Sequence, residues 1–158
     1  MSDKNTKLRF TNARLLAVQA LYAHAAGDED WDKIMSRALL GELGGQALVE
    51  EDKTEAYVTL PEADSGLFTR IVQAYREHAD DIDSAIKTGL SEKISFDRLE
   101  LTFLCILRAG IAEFYADTDT DAPIIINEYV DLTRSFYEGA EIKIVNAFLD
   151  RFAKVFRG

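Results

Sequence analysis

The sequence is poor in the features that mark secreted, disulfide-bonded and membrane-spanning proteins. It has one cysteine, Cys105, which cannot form an internal disulfide, and its apolar neighbours predict a buried thiol in a reducing compartment. No apolar run reaches the roughly 18 residues that a membrane span needs. The opening stretch, MSDKNTKLRF, contains no apolar core of a secretory signal. We therefore expect a cytoplasmic protein that does not enter a membrane.

Histidine is scarce, and the familiar enzyme motifs are missing. His24 and His78 are the only histidines, and neither has a second histidine or a cysteine at metal-ligand spacing. No phosphate-binding P-loop, dinucleotide-binding glycine motif or serine-hydrolase elbow occurs. The acidic run at 117–121 resembles half of a calcium loop, but it lacks the glycine and the distal glutamate that complete one. The sequence therefore predicts no catalytic residues, no metal site and no cofactor.

Signals for strands are also few, whereas helical periodicity is frequent. The chain has two prolines and no Asn-Gly or Asp-Gly turn. We expect an all-α fold of six or seven helices. Strong helix formers after Thr11 and Asn12 predict a first helix that Gly27 ends. The least regular stretch, 44–61, is expected to be a loop with one short strand at 56–60.

Apolar residues at spacings of three and four predict the remaining helices. The predicted segments are a helix after the acidic residues 28–30, one long or bent helix over 65–89, a mostly buried helix over 95–117, a helix from Pro123 to about Tyr137, and a last helix over 141–156. The chain then divides into 1–64, with the first helices and an acidic loop region, and 65–158, a second helical bundle.

Three consecutive isoleucines and a polar pair mark the start of the helix at Pro123. We expect Ile124, Ile125 and Ile126 to pack inward. Asn127 and Glu128 then lie in the first turns, where unpaired backbone N–H groups and the helix dipole favour polar or acidic side chains.

Charge is unevenly distributed along this acidic chain. The formal net charge of −10 by itself disfavours nucleic acid as a partner. However, 1–14 and 143–158 each carry four basic residues and one acid, so a fold that brings the two ends together creates a local basic patch. Cations of the N-terminal arm can neutralise phosphates, and Phe10 can stack on an unpaired base. The cations of the arm are Lys4, Lys7, Arg9 and Arg14. Tyr22 either extends this surface or belongs to the core.

Four segments, in one order along the chain, resemble the NusB family of bacterial transcription antitermination factors. The segments are ARLLAVQALYAHAAG at 13–27, ILRAGIAEF at 106–114, INEYVDLTRSFYEG at 126–139 and IVNAFLDRFA at 144–153. In the first two, the pattern is carried by Arg14, Ala17, Ala20, Leu21, Tyr22, Ile106, Leu107, Arg108 and Glu113. The similarity covers about 8–157 in the form usual in alphaproteobacteria, and it is weakest over 28–64.

The resemblance implies an all-α, NusB-like fold of two small helical bundles packed together. It also implies a non-enzymatic factor that binds the boxA element of ribosomal RNA leaders together with NusE, a small-subunit ribosomal protein. The pair acts in the RNA polymerase antitermination complex. Carried over by position, the RNA residues are the basic arm, Tyr22 and Lys143, and the partner residues are Glu100, Arg108 and Glu113. The apolar last helix is compatible with a homodimer.

This chain departs from the family's pattern at several positions. The dense arginine run that usually opens the family is thinned to KLRFTNAR at 7–14, and two usual aromatics are replaced by Ile94 and Ile144. These changes weaken the expected RNA surface, so we expect weak RNA binding by the isolated chain and tighter binding with NusE. The alternative is a NusB-like protein-interaction module with reduced RNA binding, in which the acidic segment 28–64 meets a basic ribosomal protein. Some RNA methyltransferases carry a NusB-like domain, but the sequence has no cofactor-binding segment and no catalytic cysteine motif.

Overall fold

The computed structural model describes residues 3–41, 63–90 and 94–158, and their side chains from residue 6 onward. Within these ranges the chain is all-α, as predicted, and has no strand. Its helices are α1 (Asp3–Gly27), α2 (Trp31–Leu39), α3 (Ser65–Gly89), α4 (Leu101–Ala116), α5 (Ala122–Arg134) and α6 (Ala140–Arg157), with a 3₁₀ turn at Phe96–Arg98. None of the helices described is both long and apolar enough to cross a membrane. The predicted loop at 44–61 and its strand lie outside the described residues.

The chain divides into two compact units, Met1–Thr69 and Arg70–Gly158. The first unit contains α1, α2 and the first residues of α3, and α1 packs against α2. The second unit contains the rest of α3 and α4 to α6. There α5 packs on both α4 and α6, and α4 also packs on α6.

The first helix begins at Asp3, so the start predicted at Thr11 or Asn12 is wrong. Thr11 lies inside the helix, and its hydroxyl donates to the carbonyl of Lys7 at 3.1 Å. A threonine side chain can thus bond either a preceding carbonyl within a helix or an N–H at a helix start, and the sequence does not distinguish the two. The end at Gly27 is confirmed.

A tight turn joins α1 to α2 in the first unit. Asp28 has a φ of 52°, and its N–H donates to the carbonyl of His24 at 3.0 Å. The ring of His24 stacks on Trp31 with 4.1 Å between centroids, and its Nδ1 lies 2.9 Å from the carbonyl of Glu29. The turn is therefore held by backbone and ring contacts. In the helix that follows it, Ile34 is buried.

The helix α3 is bent, which is one of the two forms that the sequence leaves open for 65–89. Asp64 caps its start, because its Oδ1 accepts from the N–H of Leu67 at 2.8 Å. The N–H of Asp64 in turn donates to the carbonyl of Arg9 in α1 at 3.0 Å. The bend lies at His78, whose φ of −121° and ψ of 21° are not helical. The ring of His78 stacks on Tyr115 of α4 at 4.3 Å.

The central helix of the second unit is α4, which is buried over most of its length. It begins at Leu101, six residues later than predicted, because Leu99 and Glu100 have extended backbone and follow the 3₁₀ turn. Gly110 faces α6, and a Cβ there would lie 3.2 Å from both methyl groups of Leu149. A glycine at this position thus allows the two helices to approach closely.

The helix α5 has Pro123 in its first turn, as predicted, but it ends at Arg134, three residues before the expected Tyr137. The expectation that Ile124 packs inward is wrong, because this side chain is 51% exposed, whereas Ile125 and Ile126 are buried. Successive residues in a helix are separated by about 100° around its axis, so three in a row cannot all face one side.

Candidate nucleic-acid and partner interface

The N-terminal arm presents two of its predicted cations to solvent. Lys7 and Arg9 are exposed on α1, whereas Arg14 is only 8% exposed and is held inside the first unit. The side chain of Lys4 lies outside the described residues. The arm thus offers fewer exposed cations than the sequence suggests, because Arg14 lies on the buried face of α1.

Tyr22 lies on the same helix and is 43% exposed. It is separated from Arg9 by 13 residues, or roughly 20 Å at the helical rise of about 1.5 Å per residue. The structure therefore exposes the tyrosine but does not place it beside the cations of the arm.

In the second unit, Lys143 is exposed near the start of α6. A second cation, Arg151, lies two helical turns further along and was not singled out from the sequence. Its Nη2 donates to the carbonyl of Gly89 at the end of α3, at 2.8 Å. The spacing of eight residues on one helix places the two cations on the same side, and this spacing can be read from the sequence. The structure thus gives the second unit two cations on one side of α6.

These two cations flank an open pocket of about 220 Å³, which we call the Phe148 pocket. Its apolar lining is Leu90, Ile94, Ile144, Ala147 and Phe148. A Cβ on Gly89 would lie 2.5 Å from the Phe148 ring, so the end of α3 approaches this ring closely. The ring of Phe148 in this lining is therefore already packed against the end of α3.

The expected partner residue Glu100 is exposed, but its carboxylate is bonded within the chain. Its Oε2 accepts from the N–H of Thr102 and caps α4, and its Oε1 accepts from the hydroxyl of Tyr137. Burial and this carboxylate raise the pKa of Tyr137 above its ordinary value. Phe136, beside Tyr137, is among the exposed large apolar residues of this unit. Glu100 thus combines exposure with a structural role.

Arg108, the second expected partner residue, forms a two-pronged ion pair with α3. Its Nε and Nη2 donate to the two carboxylate oxygens of Asp83 at 2.9 and 3.0 Å. The guanidinium also lies 5.4 Å from the centroid of the Tyr75 ring. Burial raises the pKa of Tyr75 to about 12 and that of Cys105 to about 11. Arg108 therefore connects α3 to α4 inside the second unit.

Glu113, the third expected partner residue, is fully buried, so its expected contact with a partner does not fit this structure. Its Oε1 accepts from the hydroxyl of Tyr129 of α5 at 2.8 Å. The sequence placed it on the central helix correctly but did not show which face it occupies. Cys105 is buried on the same helix, as predicted.

A connector between α4 and α5 contains the acidic run at 117–121. Asp117 accepts from the N–H groups of Asp119 and Thr120, and Arg157 of α6 donates to the carbonyls of Asp117 and Thr120. The hydroxyl of Thr120 also donates to the Asp117 carboxylate at 2.6 Å. Although burial acts to raise it, the hydrogen bonds from the hydroxyl and N–H of Thr120 and from the N–H of Asp119 hold the pKa of Asp117 below its ordinary value. Across the part of the chain that is described, no group of three His, Cys, Asp or Glu residues is arranged to hold a metal ion.

The arrangement of these helices matches solved structures of a defined class. NusB of T. maritima is 26% identical, with a TM-score of 0.69 over 91% of this chain and 89% of that one. A structure of antitermination factors NusB and NusE in complex with double-stranded RNA has a TM-score of 0.68, covers 98% of this chain and 99% of that one, and is 22% identical. The fold is therefore that of the helical NusB proteins.

Sequence comparison identifies the family itself. The pattern of the NusB family matches residues 11–154. Transcription antitermination protein NusB of Rhodospirillum rubrum is 37% identical over 94% of this chain and 84% of that protein. The same protein of Maricaulis maris is 33% identical over 97% of this chain and 90% of its own length. The chain belongs to the NusB family, which confirms the resemblance carried by the four sequence segments.

Proposed function

We propose that this chain is a transcription antitermination factor that binds boxA RNA of ribosomal RNA leaders together with NusE. The observation that carries the proposal is its 37% identity to an antitermination protein over nearly its whole length. The solved NusB and NusE complex with double-stranded RNA, whose fold it shares, supports RNA and NusE as partners. On this proposal the chain acts in the cytoplasm as a binding factor of the polymerase antitermination complex and catalyses no reaction.

The exposed cations are the proposed phosphate contacts of each unit. Lys7 and Arg9 serve this role in the first unit, and Lys143 serves it in the second. Each phosphate contact with a single strand contributes about 0.7 to the slope of log affinity against log salt. Because Arg14 is largely buried, its replacement would disturb the first unit and would not isolate an RNA contact.

The first prediction concerns the N-terminal arm. Replacing Lys7 and Arg9 together by alanine is expected to weaken boxA binding and to lower the salt slope by about 1.4, from two lost contacts. Fluorescence anisotropy with labelled RNA, across a salt series and with NusE present, measures both quantities. The matched control replaces Lys33 and Arg70, which are also exposed cations, and removes the same charge. Equal slopes for the two double variants would place the RNA contacts elsewhere.

A second candidate is a protein-interaction module with reduced RNA binding. The burial of Arg14 favours it, because the N-terminal arm then exposes fewer cations than the family pattern implies. Two separate titrations distinguish the candidates: NusE without RNA, and boxA RNA without and with NusE. Tight NusE binding with no RNA binding in either state would establish the second candidate in place of the first.

A further inference from the structure

A row of four aromatic side chains connects α3, α4 and the end of α6 within the second unit. The His78 ring stacks on Tyr115 with 4.3 Å between centroids, and Tyr115 lies 4.6 Å from Phe156. The Phe156 ring in turn stacks on Phe152 at 5.1 Å. Phe156 is 39% exposed, and the other three side chains are half-buried. These four residues, which we call the aromatic surface, are thus oriented by one another and reached by solvent.

Carboxylates of α3 lie beside the aromatic surface. The Oε2 of Glu77 is 4.0 Å from the Nε2 of His78, and the Glu77 side chain is exposed. Burial and the charge of Asp81 raise the pKa of Tyr115, so the Asp81 carboxylate lies close enough to act on this ring. A cation bound at the aromatic surface would therefore meet two carboxylates from successive turns of the same helix.

Acidic residues outnumber cations in the segments next to the aromatic surface. The two segments that flank it along the chain, 76–81 and 117–121, carry six carboxylates and one cation, Arg76. At the end of α6, Lys154 is already paired with Asp150, with 3.1 Å between Nζ and Oδ2. The local charge therefore favours a cationic ligand and opposes an anionic one.

The same end of the unit already holds one guanidinium against a ring. The guanidinium of Arg157 lies 5.0 Å from the centroid of the Phe114 ring, and it donates to the carbonyls of Asp117 and Thr120. A planar guanidinium can stack on a ring and donate to oxygens in its own plane, whereas an ammonium is a compact point charge. Arginine is therefore the cation that fits rings bordered by carboxylates.

We propose that the aromatic surface binds an arginine-bearing segment of a protein partner. Arginine side chains of that segment stack on the exposed rings and pair with the carboxylates of Glu77 and Asp81. An RNA strand is disfavoured because its phosphates would meet the same carboxylates. A second copy of this chain is disfavoured because a two-fold contact would bring two identical acidic surfaces together.

This protein contact goes beyond the proposed function and lies away from the proposed RNA contact on the same helix. Thirteen residues separate Phe156 from Lys143, or roughly 20 Å at the helical rise of about 1.5 Å per residue. A change at the aromatic surface is therefore expected to leave boxA binding in the presence of NusE unaltered.

A labelled peptide of alternating arginine and serine tests the proposal by fluorescence anisotropy. The unaltered chain should bind it more tightly than the peptide in which lysine replaces every arginine, although the two peptides carry equal charge. An acidic chain attracts any basic peptide at low salt, so the decisive variant must keep the charge unaltered. Phe156→Leu keeps an apolar side chain but removes the ring, and it should weaken binding of the arginine peptide roughly two- to 30-fold.

A matched control makes the same change at another exposed phenylalanine of the second unit. Phe136→Leu should leave the affinity for the arginine peptide unchanged. Circular dichroism compares the helix content of both variants with that of the unaltered chain.

A pair of charge variants keeps the proposal testable if the ring variant does not fold. Glu77→Gln together with Asp81→Asn should weaken binding of the arginine peptide roughly two- to 30-fold and flatten its salt dependence. Asp28→Asn together with Asp32→Asn removes the same charge from exposed positions of the first unit, and its effect should be smaller.

Three outcomes would overturn the proposal. The first is equal affinity of the unaltered chain and Phe156→Leu for the arginine peptide, or an equal loss in Phe136→Leu. The second is self-association in sedimentation that Phe156→Leu removes, which would assign the surface to a second copy. The third is a loss of boxA affinity in Phe156→Leu, which would assign it to RNA. The first outcome, with boxA and NusE binding retained, would leave the proposed function intact.

Discussion

Two polar residues expected at a partner surface connect helices within the second unit. Arg108 is paired with Asp83 by two hydrogen bonds, and Glu113 accepts from Tyr129 in the interior. Replacing one member of such a pair leaves the other without that partner in a place that water reaches poorly. At the scale of single residues, part of the family pattern on α4 therefore serves stability.

The pair of Tyr129 and Glu113 gives a prediction for stability. Tyr129→Phe removes the hydroxyl donor and should lower the free energy of unfolding by about 1–3 kcal/mol. Glu113→Gln keeps an oxygen that can accept, so it should cost less than Glu113→Ala. Urea titrations of the three variants measure these differences. Equal losses for glutamine and alanine would mean that the carboxylate acts through its charge and not as an acceptor for Tyr129.

Buried neutral groups beside Arg108 give a prediction for alkaline pH. Burial raises the pKa of Cys105 from 9.0 to about 11 and that of Tyr75 from 10.0 to about 12. Because both groups ionise more readily when unfolded, their contribution to stability is complete below pH 9 and is lost as pH rises toward 12. The variant with Tyr75→Phe and Cys105→Ala should show a flatter decline of unfolding free energy between pH 9 and 11. Parallel curves for the variant and the unaltered chain would refute the assignment.

At the scale of helices, the sequence predicts most of the described elements but not all their ends. Gly27 and Pro123 act through backbone geometry alone. As predicted, Gly27 ends α1 and Pro123 lies in the first turn of α5. Local preference placed the start of α1 at Thr11 and the end of α5 at Tyr137. Tertiary packing places these helix ends elsewhere, at Asp3 and Arg134. Too many residues of α5 were expected to pack inward. The apolar character of a side chain does not show the direction in which it projects from the helix.

Close packing at the end of α3 gives a prediction for one glycine. A Cβ at Gly89 would meet the buried Phe148 ring at 2.5 Å, so Gly89→Ala should destabilise the protein by about 1–3 kcal/mol. Gly27→Ala is the matched control, because its Cβ would have no neighbour within 4 Å, and it should change stability by less than about 1 kcal/mol. Thermal and urea unfolding compare them. A loss no larger at position 89 than at 27 would show that the ring moves aside without cost.

At the scale of the whole molecule, an acidic chain is proposed to bind an acidic polymer. The net charge of −10 opposes RNA at long range, so we expect the proposed RNA affinity to depend on a few exposed cations. The sequence predicted the exposed cations Lys7, Arg9 and Lys143, whereas the pocket required coordinates. Leu90 and Ile94 reach it from a different part of the chain than Ile144, and sequence spacing does not show that they meet.

This charge balance predicts a strong dependence on the partner. We expect the isolated chain to bind boxA RNA weakly and NusE to raise that affinity. Because coupling between two ligands is reciprocal, boxA RNA should raise the affinity for NusE by the same factor. Isothermal titrations of NusE, with and without RNA, measure that factor. A factor of one would show that the two partners bind independently and that NusE does not compensate for the repulsion.

The chain's one tryptophan gives a fluorescence signal that comes from a single known position. Trp31 rests against His24 in the turn between α1 and α2, and the second unit contributes no indole. Tryptophan emission, excited at the long-wavelength edge where tyrosine does not absorb, therefore follows the melting of the first unit alone, while circular dichroism averages every helix. A difference between the two melting curves would show, without any added label, that one unit unfolds at a lower temperature than the other.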